Sequence, residues 1–197
     1  MAFVQVVRRS MRPEEYTDLR AGWLKRFLYE SKYEITDIEI TDARQTGENT
    51  YEYYPGGYRR LKKGDIYFTP DGTVFFKAKV TVPKEMQGKE LWLSMWTAAE
   101  IIVKVNGVYV GGMDPNRDRV LLSPYIDSGE LLIEMEGYNR SKPDDERNPD
   151  SMKLKGCRQE FQGLYLATVN QDALSLFYDL QLLLDVSKST YFNEDYR

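Results

Sequence analysis

The chain of 197 residues contains no histidine and a single cysteine, Cys157. Without histidine there is no imidazole base for a Ser or Cys nucleophile, so catalytic triads are excluded. Zinc sites of the usual kind are excluded too, because they draw on clustered His, Cys and carboxylate ligands. One cysteine rules out an internal disulfide framework, and Cys157 reads as a buried or bystander thiol. No apolar run approaches the roughly 18 residues needed to span a bilayer. Met1 to Val7 is too short for a signal-peptide core and is followed by Arg8-Arg9, so the chain reads as cytoplasmic. Excess basic charge is also lacking. The formal net charge is −4, and the only compact basic run is Arg59-Arg60-Leu61-Lys62-Lys63, which reads as a solvated loop. Gly56-Gly57 and Gly111-Gly112 lack the further glycine and lysine of a phosphate loop.

Aromatic residues are plentiful, with 15 tyrosines and 3 tryptophans, and they suit strands and sugar-contacting surfaces alike. Tyr16, Leu19, Trp23 and Phe27, with Leu24 beside them, fall at helical spacing after Pro13, Glu14 and Glu15. They predict a helix to about Tyr29 whose apolar stripe faces a core. The period changes to two from Glu34, where Ile35, Ile38 and Ile40 suggest a short strand ending at Gln45 to Asn49. A tyrosine-rich turn follows, from Tyr51 to Tyr58 around Pro55-Gly56-Gly57. Val74, Phe76, Ala78, Val80 and Val82 then alternate with Phe75, Lys77, Lys79 and Thr81, the pattern of a half-buried strand closed by Pro83. Leu91, Leu93 and Met95 alternate with Trp92, Ser94 and Trp96 in another. Asn106-Gly107 lies between Val103-Lys-Val105 and Val108-Tyr-Val110, a strong hairpin signal because both turn residues need positive φ. Further strands are expected at Leu121-Leu122, Leu131 to Tyr138 and Glu160 to Val169, with a turn at Asp127 to Gly129. The charged stretch Ser141 to Ser151 reads as a surface loop.

The last element is a helix. Asn170 can cap it, Asp172 sits in its first turn and Lys188 lies near its end. Its apolar residues, from Ala173 to Val186, cover most of the circumference, so burial on nearly every side is expected. Leu176, Phe177, Leu180 and Leu183 are the expected docking surface. The fold class is mainly β: an antiparallel jelly-roll or galactose-binding-like sandwich with an N-terminal and a C-terminal helix. The organisation reads as a helical segment over 1–32, a sandwich over 33–169 and a C-terminal helix over 170–197.

Carboxylates are the remaining source of chemistry. Asp114 with Asp118, or Asp144-Asp145-Glu146, could ligate calcium, but no spacing here is that of a calcium loop, and solvated loop charge is the simpler reading. A hydrolytic carboxylate pair needs a deep cleft, which a small sandwich seldom provides. No catalytic residue and no metal ligand is therefore assigned. A sugar-contacting surface is a further possibility: Trp92 and Trp96 share a strand face, Tyr51, Tyr53, Tyr54 and Tyr58 cluster, and Asp114 and Asn116 sit beyond the hairpin. The competing reading puts both tryptophans in the core.

Three segments carry a resemblance. The first is Phe75-Phe-Lys-Ala-Lys-Val-Thr-Val-Pro-Lys-Glu-Met-Gln-Gly-Lys-Glu-Leu-Trp-Leu93. The second is Ile102-Val-Lys-Val-Asn-Gly-Val-Tyr-Val-Gly-Gly-Met-Asp-Pro-Asn-Arg-Asp-Arg-Val-Leu-Leu122. The third runs from Leu164-Tyr-Leu-Ala-Thr-Val169 to the helix holding Phe177-Tyr-Asp-Leu180. In this order they resemble the N-terminal sandwich of glycoside hydrolase family 38 α-mannosidases, over about Thr73 to Ser189. Arg117 stands where that family usually has His, and Pro115 where it often has Arg. The resemblance implies a non-catalytic accessory domain of an enzyme that hydrolyses terminal α-D-mannosyl residues. The zinc ligands and nucleophilic Asp would belong to a catalytic domain after the last helix, so no cofactor is expected in this chain. The implied partner is that catalytic domain, or a second copy of the chain, met through the last helix. A free-standing carbohydrate-binding module and a protein-interaction sandwich are the alternatives, and no nucleic acid or membrane partner is expected.

Overall fold

The computed structural model describes residues 13–67, 72–97, 99–125, 129–139 and 159–191. Cys157, the loop over 141–151 and the carboxylates Asp144, Asp145 and Glu146 lie outside them. Two compact units result. One combines the segments 1–30 and 169–197, and the other is 31–168.

The larger unit is a sandwich of antiparallel sheets. Its seven-stranded sheet runs β3 (Thr50–Tyr53), β2 (Ile38–Gly47), β6 (Gly72–Thr81), β11 (Glu130–Asn139), β8 (Glu100–Val105) and β9 (Val108–Met113), with β4 (Arg59–Arg60) also paired to β2. The second sheet runs β1 (Tyr29–Ile35), β13 (Leu164–Val169), β7 (Leu91–Ser94) and β10 (Arg119–Leu121). A two-stranded ribbon joins β5 (Ile66–Tyr67) to β12 (Gln159–Glu160).

The two-residue periods expected from the sequence are what the sheets bury. Val74, Phe76, Ala78, Val80 and Val82 are all in the core, as are Leu91, Leu93 and Met95. One contiguous cluster joins these to Ile38, Ile40, Val103, Val105, Ile133 and Leu166, so both sheets contribute to a single interior. Asn106 and Gly107 close the β8–β9 hairpin with φ of 49° and 84°, the left-handed pair that matches strand twist in a two-residue turn. The Asn106 side chain adds a tie across the sheet, its Oδ1 accepting a hydrogen bond from the Leu132 N–H at 2.9 Å. Further along β9, Gly111 has φ of 150°, and a Cβ there would stand 2.7 Å from Val120 Cγ2.

Several elements differ from the expectation. The single short strand around Ile35 to Ile40 is two strands, β1 and β2, and β2 runs on to Gly47. The N-terminal helix α1 is Pro13–Leu24, followed by a 3-10 turn over Lys25–Phe27, and Tyr29 already opens β1. The basic run is not simply loop. Arg59 and Arg60 form β4, and Arg60 Nη1 pairs with Asp37 Oδ1 at 2.7 Å.

The smaller unit is an antiparallel helix pair. Helix α2 (Gln171–Tyr191) begins as expected, with Asn170 Oδ1 accepting from the Ala173 N–H at 3.1 Å. Lys188 near its end lies 3.8 Å from Asp18 on α1, and Lys25 after α1 lies over the Phe177 ring at 5.7 Å. Ala21, Leu28, Leu174, Phe177 and Leu184 are buried. The helical stripe expected to face a core does the opposite: Tyr16, Leu19, Trp23 and Phe27 are all exposed. Nor is α2 buried all round, since Leu182 and Leu183 are each 65% exposed.

Candidate binding surfaces

The outer face of the seven-stranded sheet is built by the polar half of the strand alternation. Register fixes one row across it: Arg60, Glu39, Lys77, Glu134, Lys104 and Tyr109, each directly opposite the next. Opposite charges therefore alternate across four central strands, the favourable cross-strand arrangement. A parallel row brings Thr41, Phe75, Glu136 and Ile102 side by side.

The β3 tyrosines close over these rows. Tyr51 meets the Phe75 ring edge-on with centroids 5.0 Å apart, and Tyr53 meets it at 5.6 Å. The Tyr51 hydroxyl donates to Glu136 Oε1. That bond to a carboxylate pushes the Tyr51 phenol up to about 12, with burial adding to the effect. Lys77 places its ammonium over the Tyr58 ring at 4.5 Å, and Lys104 does the same over Tyr109 at 4.7 Å. Burial pushes the Tyr58 phenol up, while Lys77 beside it pulls the other way.

These side chains line a groove of about 250 Å³ whose walls are Tyr53, Tyr58 and Tyr109 and whose floor includes Phe75, Lys77 and Glu134. A second groove of about 690 Å³ shares Ile102 and Glu136 with it and ends at the turn Asp114 to Arg117. The turn is held from within. Asp114 Oδ1 accepts from the Asn116 N–H at 2.8 Å and the Arg117 N–H at 3.0 Å, and Oδ2 faces the Arg117 guanidinium at 2.9 Å. The Asn116 N–H, first among these partners, holds the Asp114 carboxyl below its ordinary value.

The four residues singled out for sugar contact are therefore not one site. Asp114 and Asn116 border the second groove, and the Asp114 oxygens are engaged within their own turn. Trp92 belongs to β7 in the other sheet and Trp96 to the segment after it, and neither lines either groove. Neither tryptophan is core. Trp92 is half-buried with its Nε1–H donating to Glu90 Oε1 at 2.9 Å, and Trp96 is 53% exposed. Of the tyrosine cluster noted in the sequence, Tyr53 and Tyr58 reach the groove. The sequence pattern gives no site role to Lys77, Lys104, Glu134, Glu136 or Tyr109. Their only signal is that they occupy the outward positions of strands whose inward positions are plainly apolar.

The second surface is on the helix pair. Leu176 and Leu183 of the expected docking set are exposed, Leu180 is half-buried and Phe177 is buried. Leu182 and Val186 on α2, Trp23 on α1 and Phe27 in the turn after it add to the exposed apolar area. No group of three or more His, Cys, Asp or Glu able to hold a metal occurs among the described residues. No helix among them is long and apolar enough to cross a membrane.

No protein-family model matches the chain, and no curated protein matches it. Solved structures do. A rhamnosidase from Novosphingobium sp. PP1Y matches with 17% identity and a TM-score of 0.44, over 70% of this chain and 15% of that one. A β-D-glucuronidase of Dictyoglomus thermophilum matches with 16% identity and a TM-score of 0.39, over 71% of this chain and 28% of that one. A β-glucuronidase from Ruminococcus gnavus matches with 12% identity and a TM-score of 0.44, over 72% of this chain and 30% of that one. The chain thus spans less than a third of the length of these structures. The likeness is distant and partial, none of the three is named as an α-mannosidase, and nothing about this chain's activity follows from it.

Proposed function

We propose that this chain is a non-catalytic sandwich domain of a glycoside hydrolase of the α-mannosidase kind, and that its helix pair docks on a catalytic domain or on a second copy of the chain. The observation that carries the reading is the exposed apolar surface of α1 and α2. Trp23, Phe27, Leu182 and Leu183 in water are costly to leave uncovered, at roughly 25 cal/mol per Å² of apolar area. The three segments that resemble the mannosidase family support it further. They fall on β6 to β7, on β8 to β10 with the Asp114–Arg117 turn, and on β13 running into α2; the first two each pass from the seven-stranded sheet to the four-stranded one. Zinc and the nucleophilic carboxylate then belong to the catalytic domain. A lone cysteine suits a reducing compartment, so we place the parent enzyme in the cytoplasm.

Light scattering tests the docking. The whole chain is expected to run above monomer mass at about 100 µM, and the double variant Leu182→Lys, Leu183→Lys is expected to run as a monomer with unchanged circular dichroism. A wild-type chain that stays monomeric at that concentration and fails to bind a purified α-mannosidase catalytic domain overturns the reading.

A further inference from the structure

We propose that the outer face of the seven-stranded sheet is a binding site for a neutral oligosaccharide, lying across β6, β11, β8 and β9 with its sugar rings against Tyr53, Tyr58 and Tyr109. The site belongs wholly to residues 31–168, so it does not depend on the docking role proposed above.

Three features select that ligand. Exposed rings come first. Tyr109 is 66% exposed, and Tyr53 and Tyr58 are exposed as well, each standing on a strand or beside one rather than on a long loop. The apolar face of a pyranose ring stacks on such rings, and their placement on paired strands holds the spacing between them fixed.

Charge balance comes second. Lys77 and Lys104 oppose Glu134 and Glu136 along the floor, giving a formal sum of zero. Among the described residues neither lysine has a carboxylate within 4 Å. Each ammonium rests on a tyrosine ring instead. The floor therefore offers ammonium donors and carboxylate acceptors at once, which suits hydroxyl groups that both donate and accept. A polyanion would meet Glu134 and Glu136, and a polycation would meet the lysines. An apolar ligand would strip water from all four charges without compensation.

Shape is the third. The tyrosine-walled groove adjoins the larger one that reaches Asn116, the two sharing Ile102 and Glu136 in their linings. Two adjoining grooves on one sheet face suit several sugar units of a chain rather than one terminal residue. Tyr51 bonds Glu136, which fixes one carboxylate in the floor.

The test is a nuclear magnetic resonance titration of the whole chain with mannotetraose, cellotetraose and xylotetraose, with tetragalacturonate as the charged comparison. At least one neutral tetraose is expected to shift the amides of β6, β8, β9 and β11 with a millimolar or tighter dissociation constant. Tyr109→Ala is expected to weaken it about five- to tenfold, on the scale of one lost aromatic contact, while Tyr109→Phe keeps most of the affinity. Circular dichroism of both variants separates lost binding from lost fold, and Tyr58→Ala serves if Tyr109→Ala does not fold. Three results overturn the proposal: no shifts with any neutral tetraose up to about 10 mM, a range that covers very weak binding; shifts confined to the four-stranded sheet or the helices; or tighter binding of tetragalacturonate than of every neutral chain.

Discussion

At the scale of single residues, Tyr51 and Asn106 show how one side chain carries information across strands. Tyr51 is bound to Glu136 and its phenol is pushed up to about 12. The folded state therefore favours the protonated phenol more than the unfolded chain does. The stabilisation is whole below about pH 10, the ordinary phenol value, and is lost as pH rises from there toward 12. The buried Tyr67 phenol is also pushed up to about 12 by burial and acts in the same direction. An ultraviolet titration should show these two phenols ionising above the ordinary tyrosine range, and Glu136→Gln should bring one of them back toward the ordinary value. Asn106 combines a positive φ with its bonds to Leu132 through both backbone N–H and Oδ1. Asn106→Ala should cost about 1–2 kcal/mol in urea unfolding, since it loses the side-chain bond and sets alanine at φ of 49°.

At the scale of elements, β11 is at the centre of the large sheet, paired along its length with β6 on one side and from Ile133 to Tyr138 with β8 on the other. Its inward residue Ile133 is fully buried. Ile133→Ala should therefore lower stability by about 2–5 kcal/mol, the range for a cavity in a core that cannot collapse around it. Helix α2 has a different sensitivity. Its cap is one side chain, and Asn170→Ala should cost about 1 kcal/mol, read as a loss of helical signal or a lower Tm. Its exposed leucines should cost nothing on substitution in the chain diluted to a monomer, because Leu182 and Leu183 have little burial to lose there. The same contrast explains the misjudged stripe on α1. Helical spacing marks which residues share a face, but not which face meets the protein, and here Ala21 and Leu28 are inside while Trp23 and Phe27 are out.

At the scale of the molecule, the described residues hold a groove walled by tyrosines and several exposed apolar helix residues. No group of three or more His, Cys, Asp or Glu able to hold a metal occurs among them. Dialysis against EDTA should leave the thermal unfolding midpoint unchanged within about 1 °C, a shift smaller than that of a 1 kcal/mol change in a domain of this size. A clear fall would reveal a structural cation.

Alternation of apolar and polar residues was enough to place β6, β7 and β8 and to choose the side on which each buries its apolar set, because a period of two leaves a strand only one way to hide that set; β9 leaves Val108 half exposed. Asn106-Gly107 fixed its hairpin for a local reason as well, the positive φ at both positions. The tilt toward a sandwich and the cap at Asn170 were legible on the same local grounds. Partners brought together over long separations were not. Tyr51 and Glu136 are 85 positions apart, and only strand order makes them neighbours. The row from Arg60 to Tyr109 likewise exists only once β4, β2, β6, β11, β8 and β9 lie in register. Tertiary structure alone also put Trp92 and Trp96 away from the grooves, and turned the aromatic stripe of α1 outward. A strand or helix carries its own pattern of faces, whereas which face is covered depends on what the rest of the chain sets against it.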